Sequence, residues 1–202
     1  MKFTLDNDSV PTHKSEVNLN PVVWFKYKYK LVVPLALSIF VSVYLSYEYS
    51  AWFISLGLLC LVINVFYWLS VKEHFKAEST PAIVISNNPS LIAVYSNMSK
   101  YKEFYPAIKI ETYDNRRNLQ VGDKLATVSI YTETDEENKF WDDVHPLPVE
   151  YGTINDKVMQ HSLSSYTAEQ WDVLEKGLSE IGGKVQLGLY KIMKDDSDWG
   201  SS

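Results

Sequence analysis

The stretch "VYLSYEYSAWF" (residues 43–53) places one carboxylate, Glu48, between two long apolar runs. "LVVPLALSIFVSVYLSY" (31–47) precedes it and "AWFISLGLLCLVINVFYWLSV" (51–71) follows. As helices they reach about 25 and 31 Å, against a bilayer core about 30 Å thick. The first is short by itself, but "VVWF" (22–25) and the Tyr/Lys ladder after it can extend the helix into the interface. The pattern predicts a transmembrane hairpin with Glu48 at its water-exposed tip. A functional carboxylate inside the membrane is the sharper reading of the same residue. A hairpin buried in a soluble protein is the third. It is disfavoured because a 131-residue acidic remainder could hardly enclose two helices apolar on nearly every face. Neither run reads as a cleavable signal peptide, since about thirty mostly polar residues precede the first and no small-residue cleavage site follows it.

Flanking charge sets the expected orientation. Lys26, Lys28 and Lys30 precede the first span and Lys72 and Lys76 follow the second, while no Lys or Arg lies between them. Positive charge near span ends marks the cytoplasmic side. Both termini are therefore expected on the cytoplasmic side. Trp24, Trp52 and Trp68, with tyrosines around them, stand where interfacial anchors belong. "WFKYKYK" (24–30) also suits anionic lipid.

Within the hairpin, Ser38, Ser42 and Ser46 repeat every four residues, and Gly57, Cys60 and Asn64 form a small or polar stripe on the second helix. Small residues let helix backbones approach closely. The stripe predicts intramolecular packing, with homo-oligomerisation through the same face as the alternative. With the turn centred near Glu48 and Tyr49, Ser42 should lie level with residues near Ser55 to Gly57, and Ser38 with residues near Cys60. Asn64 needs a partner in lipid. It lies near Pro34, whose ring leaves the carbonyl one turn earlier without its donor.

The chain divides into a flexible cytoplasmic tail (1–20, with His13 solvated and Asn20-Pro21 opening the first helix), the hairpin (21–74), a cytoplasmic domain (78–194) and a flexible end (195–202). Residues 72–202 carry 14 Lys or Arg against 21 Asp or Glu, which argues against a nucleic-acid partner. The lone Cys60 allows no intramolecular disulfide.

After a polar linker (72–81), period-2 alternation marks strands near 82–86, 91–96, 107–113, 125–131 and 185–192. "NNP" (87–89) and "VGDKL" (121–125) supply turns. Thr167 with Gln170 forms a capping box, Trp171, Leu174, Leu178 and Ile181 follow a helical stripe, and Gly182-Gly183 ends it. A shorter helix is expected over 156–163. The expected fold is a transmembrane α-hairpin followed by an α+β domain: a mainly antiparallel, barrel-like sheet with two helices. The polar linker and the size of the remainder predict that this domain folds by itself from Glu78.

Chemistry is sparse. "FWDDVHPLP" (140–148) sets Asp142, Asp143 and His145 close together, and His161 follows. Such residues can form an acid–base pair or ligate a metal. The two prolines explain an ordered extended loop without chemistry, and no second close His or Cys completes a zinc pattern. No cofactor is expected. The runs at 71–86, 121–131, 151–158, 171–178 and 187–192 resemble a family of uncharacterised bacterial proteins, the domain of unknown function numbered thirty-two thirty-nine. That resemblance implies bacterial origin, offers no assigned activity and brings no catalytic residues. The expected function is a membrane-anchored binding or scaffold module, recruiting a protein partner or sensing a small ligand beside the lipid bilayer. The alternative is a membrane-tethered hydrolase using Asp143 and His145.

Overall fold

The computed structural model describes residue 15 and residues 17–101, 104–134, 137–182 and 186–192. The expectations for His13, Gly183, Val185 and the end segment 195–202 lie outside the described residues.

Two helices open the chain, α1 (Pro21–Glu48) and α2 (Phe53–His74). Pro21 stands in the first turn of α1, where its missing N–H costs nothing, and Asn20 caps Val22 and Val23 through its side chain. Both helices are long and apolar enough to cross a membrane. Their outer faces are uncovered: Phe40, Val62 and Phe66 are 70%, 63% and 65% exposed. Glu48 is the last residue of α1, at the turn between them. α1 is kinked at Lys28, which lays its first two turns against the rest of the protein.

The remainder is one six-stranded antiparallel sheet curled into a half-barrel. Its strands are β1 (Glu78–Asn87), β2 (Ser90–Asn97), β3 (Pro106–Thr112), β4 (Lys124–Thr132), β5 (Asp143–Pro148) and β6 (Gly188–Lys191), in spatial order β5-β4-β1-β2-β3-β6. Helices α3 (Asp156–Ser164) and α4 (Ala168–Ile181) complete an α+β domain. The capping box closes at both ends, with Thr167 Oγ1 accepting from Gln170 N and Gln170 Oε1 accepting from Thr167 N. Leu174 is fully buried and packs with Trp171, Leu178 and Ile181 on Ile83, Ala93, Ile108 and Ile110. Gly177 permits this contact, because a Cβ there would meet the tips of Ile108 and Ile192 at 2.7 Å.

Three features depart from the sequence-based expectation. β5 is a strand where a proline-rich loop was expected. Pro146 and Pro148 sit opposite Ser129 and Thr127 on the edge strand, where a missing N–H breaks no interior ladder. Residues 72–81 are no linker. α2 runs to His74, Phe75 is fully buried, and β1 pairs with β4 from Glu78 onward. Residues 17–20 do not behave as a free tail either, since Val17 is buried and Asn20 N–H donates to the Gly152 carbonyl (2.8 Å).

One apolar cluster joins both halves. Trp24 and Val32 of α1, with Val71 and Phe75 from the end of α2, pack with Val84, Ile92, Val94, Val128, Val149 and Tyr151. The hairpin therefore enters the domain core as two of its walls.

Candidate binding site at the hairpin–domain junction

The hairpin is held by contacts along its length. Ser42 and Gly57 meet, with the Ser42 Cβ 3.4 Å from where a Gly57 Cβ would stand. Cys60, one turn past Gly57 on the same face of α2, has its Sγ 4.0 Å from Ser42 Oγ. The hydroxyls of Ser38, Ser42 and Ser46 donate to carbonyls of their own helix. Asn64 donates its amide to the carbonyls of Leu35 (2.8 Å) and Cys60 (2.9 Å). The Lys30 carbonyl that Pro34 frees is not its acceptor, because the amide lands one residue past the proline.

Lower down, Trp24 is 4% exposed, donates its indole N–H to the Tyr67 hydroxyl (2.8 Å) and meets Phe75 edge-on. That position removes it from the role of interfacial anchor, since its one donor is spent inside the protein. Trp68 is half-buried against Tyr67, whereas Trp52 at the turn is 84% exposed. Lys26, Lys30 and Lys72 are exposed. Lys28 turns inward instead, with its ammonium 5.9 Å from the Trp24 ring centre and 5.4 Å from that of Tyr151.

Two cavities flank this junction. One, about 600 Å³, lies between residues 17–21 and α2, with Asn64, Trp68, Lys72 and Lys76 on its wall. The other, about 510 Å³, has walls from both halves of the protein. α1 supplies Trp24, Lys28 and Leu31; α2 supplies Phe66, Tyr67, Ser70, Val71 and His74; the sheet supplies Ile130, Tyr131 and Leu147. A concave, mostly apolar site with few polar groups, in this volume range, is the usual form of a small-ligand pocket. His74 fixes the wall, its Nε2–H donating to the His145 carbonyl (3.0 Å). Tyr131 is held by Glu78, to which its hydroxyl donates (2.7 Å), and by Ser96. Burial raises the Glu78 carboxyl above its ordinary range, and the Tyr131 hydrogen bond opposes it.

Beside the cavity lies a buried polar cluster. Glu150, 5% exposed, accepts from the Tyr113 hydroxyl (2.7 Å) and from Tyr27 (3.5 Å). Arg117 stands 3.8 Å from its other oxygen. Burial pushes the Glu150 carboxyl up, more than these partners pull it down. Glu111 is raised by burial too, opposed by Lys109 and, more weakly, by Lys28.

Asp142 accepts from the Thr134 N–H. Asp143 is paired with Lys109 across the curled sheet (2.6 Å) and also accepts from Val144 N. His145 Nε2 is 3.4 Å from Thr132 Oγ1. His161 is exposed in the last turn of α3. Among the described residues, no group of three or more His, Cys, Asp or Glu is arranged to hold a metal ion. The cavity residues Ile130, Tyr131 and Leu147 were missed from sequence. The usable signal was the alternation of buried Val144, Pro146 and Pro148, which marks a strand and thereby sets Leu147 on its opposite face.

A family model described as "Protein of unknown function (DUF3239)" matches residues 70–182. A crystal structure described as a "putative membrane protein from Corynebacterium diphtheriae" is similar in fold, with a TM-score of 0.50 and 19% identity. The likeness covers 57% of this chain and 100% of that one. A comparison with curated proteins gives no match.

Proposed function

Since the chain belongs to the DUF3239 family of proteins of unknown function, we propose its function from geometry: a membrane-anchored binding module with its ligand site at the hairpin–domain junction. The observation that carries this is the shared cavity of about 510 Å³, whose walls come from α1, α2, β4 and β5 together. A free-standing domain on a flexible tether would have no such site. Phe66 and Leu31 belong to the apolar runs, so the sheet residues opposite them sit at the level of the bilayer surface. The description of the fold neighbour as a membrane protein agrees with an anchored reading.

The orientation belongs to the same proposal. The lysines at the outer ends of both spans favour an inner-membrane protein with both termini in the cytoplasm. Alkaline phosphatase, active only after export, should be active when fused at Tyr49 and inactive when fused at Ser202. The reverse result ends this orientation. For the binding site, benzoylphenylalanine at Leu147 in membrane-embedded protein should cross-link a bound component on illumination. The same group at Ile154, 73% exposed and outside the cavity lining, should not. Equal labelling at the two positions would remove the site.

A further inference from the structure

We infer that the junction cavity seats one acyl chain of an anionic membrane lipid, with Lys28 holding its phosphate. The inference rests on the binding-module reading and names its ligand class. Three observations lead to it. First, the cavity is continuous with the hydrocarbon-facing surface. Leu31 and Phe66 line it and are 55% and 65% exposed on the outer faces of α1 and α2. A chain leaving the bilayer can enter without crossing water. Second, Ile130 and Leu147 make its far wall apolar. A soluble, hydrogen-bonding ligand would find few partners there, whereas a methylene chain needs none.

Third, the charge at its rim is a cation. Lys28 makes no ion pair among the described residues, and aromatic faces of Trp24 and Tyr151 are its near neighbours. The field of Glu111 reaches it, but that carboxyl is itself raised by burial and is engaged first by Lys109. A half-buried ammonium beside an apolar cavity is satisfied by an anion that brings its own hydrophobic body. Basic pockets between membrane helices hold lipid headgroups by this logic. The kink at Lys28 matters here, since it directs the first two turns of α1 toward the domain.

The other cavity also has lysines at its wall, Lys72 and Lys76, but it is bounded by α2, Pro21 and the residues before it, with no part of the sheet in its lining.

The test uses the full chain in nanodiscs of phosphatidylcholine alone or mixed with phosphatidylglycerol, with benzoylphenylalanine at Leu147. Illumination followed by mass spectrometry should yield phosphatidylglycerol adducts in excess of the lipid's share of the disc. Lys28→Gln should lower that adduct yield about fivefold, the effect of one cation near an anionic surface. Ile130→Trp, which fills the cavity from the sheet side, should abolish labelling while circular dichroism stays that of the parent. Phosphatidylcholine adducts in proportion to the disc, unmoved by Lys28→Gln, overturn the anionic lipid. Adducts to a copurified soluble compound or peptide overturn the lipid and keep the binding module. No adduct above that of the Ile154 control overturns both.

Discussion

Gly152 and Phe75 are packed so closely that a Cβ on Gly152 would stand 2.6 Å from the Phe75 ring. Phe75 follows the last residue of α2 and Gly152 follows the turn after β5, so this contact is one of those that hold the end of the hairpin to the domain. Gly152 has φ −100°, a conformation any residue adopts, so the need for glycine is steric. Gly152→Ala should destabilise the protein by about 1–3 kcal/mol, the usual cost of overpacking. Phe75→Leu in the same chain should recover part of that loss. Melting of the two single variants and the double variant checks this, and strictly additive losses would refute the contact.

The neighbourhood of Ser42 and Cys60 gives a covalent test of the hairpin. Their Oγ and Sγ atoms are 4.0 Å apart on facing helices. Ser42→Cys should form a disulfide with Cys60 within one chain on mild oxidation, read as a mobility shift on a non-reducing gel. A disulfide-linked dimer instead would make this stripe an oligomer face.

Glu150 gives a pH dependence whose sign follows from its burial. Its carboxyl binds a proton more readily in the folded chain than in the unfolded one, where the pKa is about 4.3. Its contribution is thus most favourable below that value and is lost as the pH rises through the raised folded value. Glu150→Gln keeps an acceptor for Tyr113 and removes the charge. The variant should gain melting temperature relative to the parent as the pH rises from 4 toward 7. A constant difference across that range would show that Glu150 does not titrate differently on folding.

Asp143 should prove structural. Its carboxylate is bound to Lys109, whose side chain is only 13% exposed, across the open side of the sheet. Asp143→Asn should lower thermal stability modestly, because Asp143 itself is 37% exposed and solvent screens the pair. Lys109→Met combined with Asp143→Asn should cost less than the two losses added, since neither partner is then left with an unmatched charge. Additive losses would remove the pair from the account.

Much of this architecture is legible in local patterns. The two apolar runs around Glu48, the Asn20-Pro21 start, the Thr167 capping box and the alternation in β1 to β4 depend on residues within a turn or a strand of one another. Such signals survive in a linear text because their energetics are short-range. The same logic misleads where a residue's type is right but its surroundings are remote. Trp24 has the composition of a membrane-interface anchor, and only Tyr67 and Phe75, more than forty positions away, turn it inward. Pro146 and Pro148 read as loop until the pairing with β4 makes theirs the edge strand.

The sequence by itself determined the two long apolar helices, their lysine-marked ends and an α+β domain of mainly antiparallel strands. Only the tertiary structure decided that Phe66, Ile130 and Leu147, spread over more than eighty positions, line one cavity. Periodicity assigns a face to each element, but which faces meet depends on how the sheet curls and where α1 kinks. Those are set by packing summed over the whole core, in which Phe75, Gly152 and Trp24 act together.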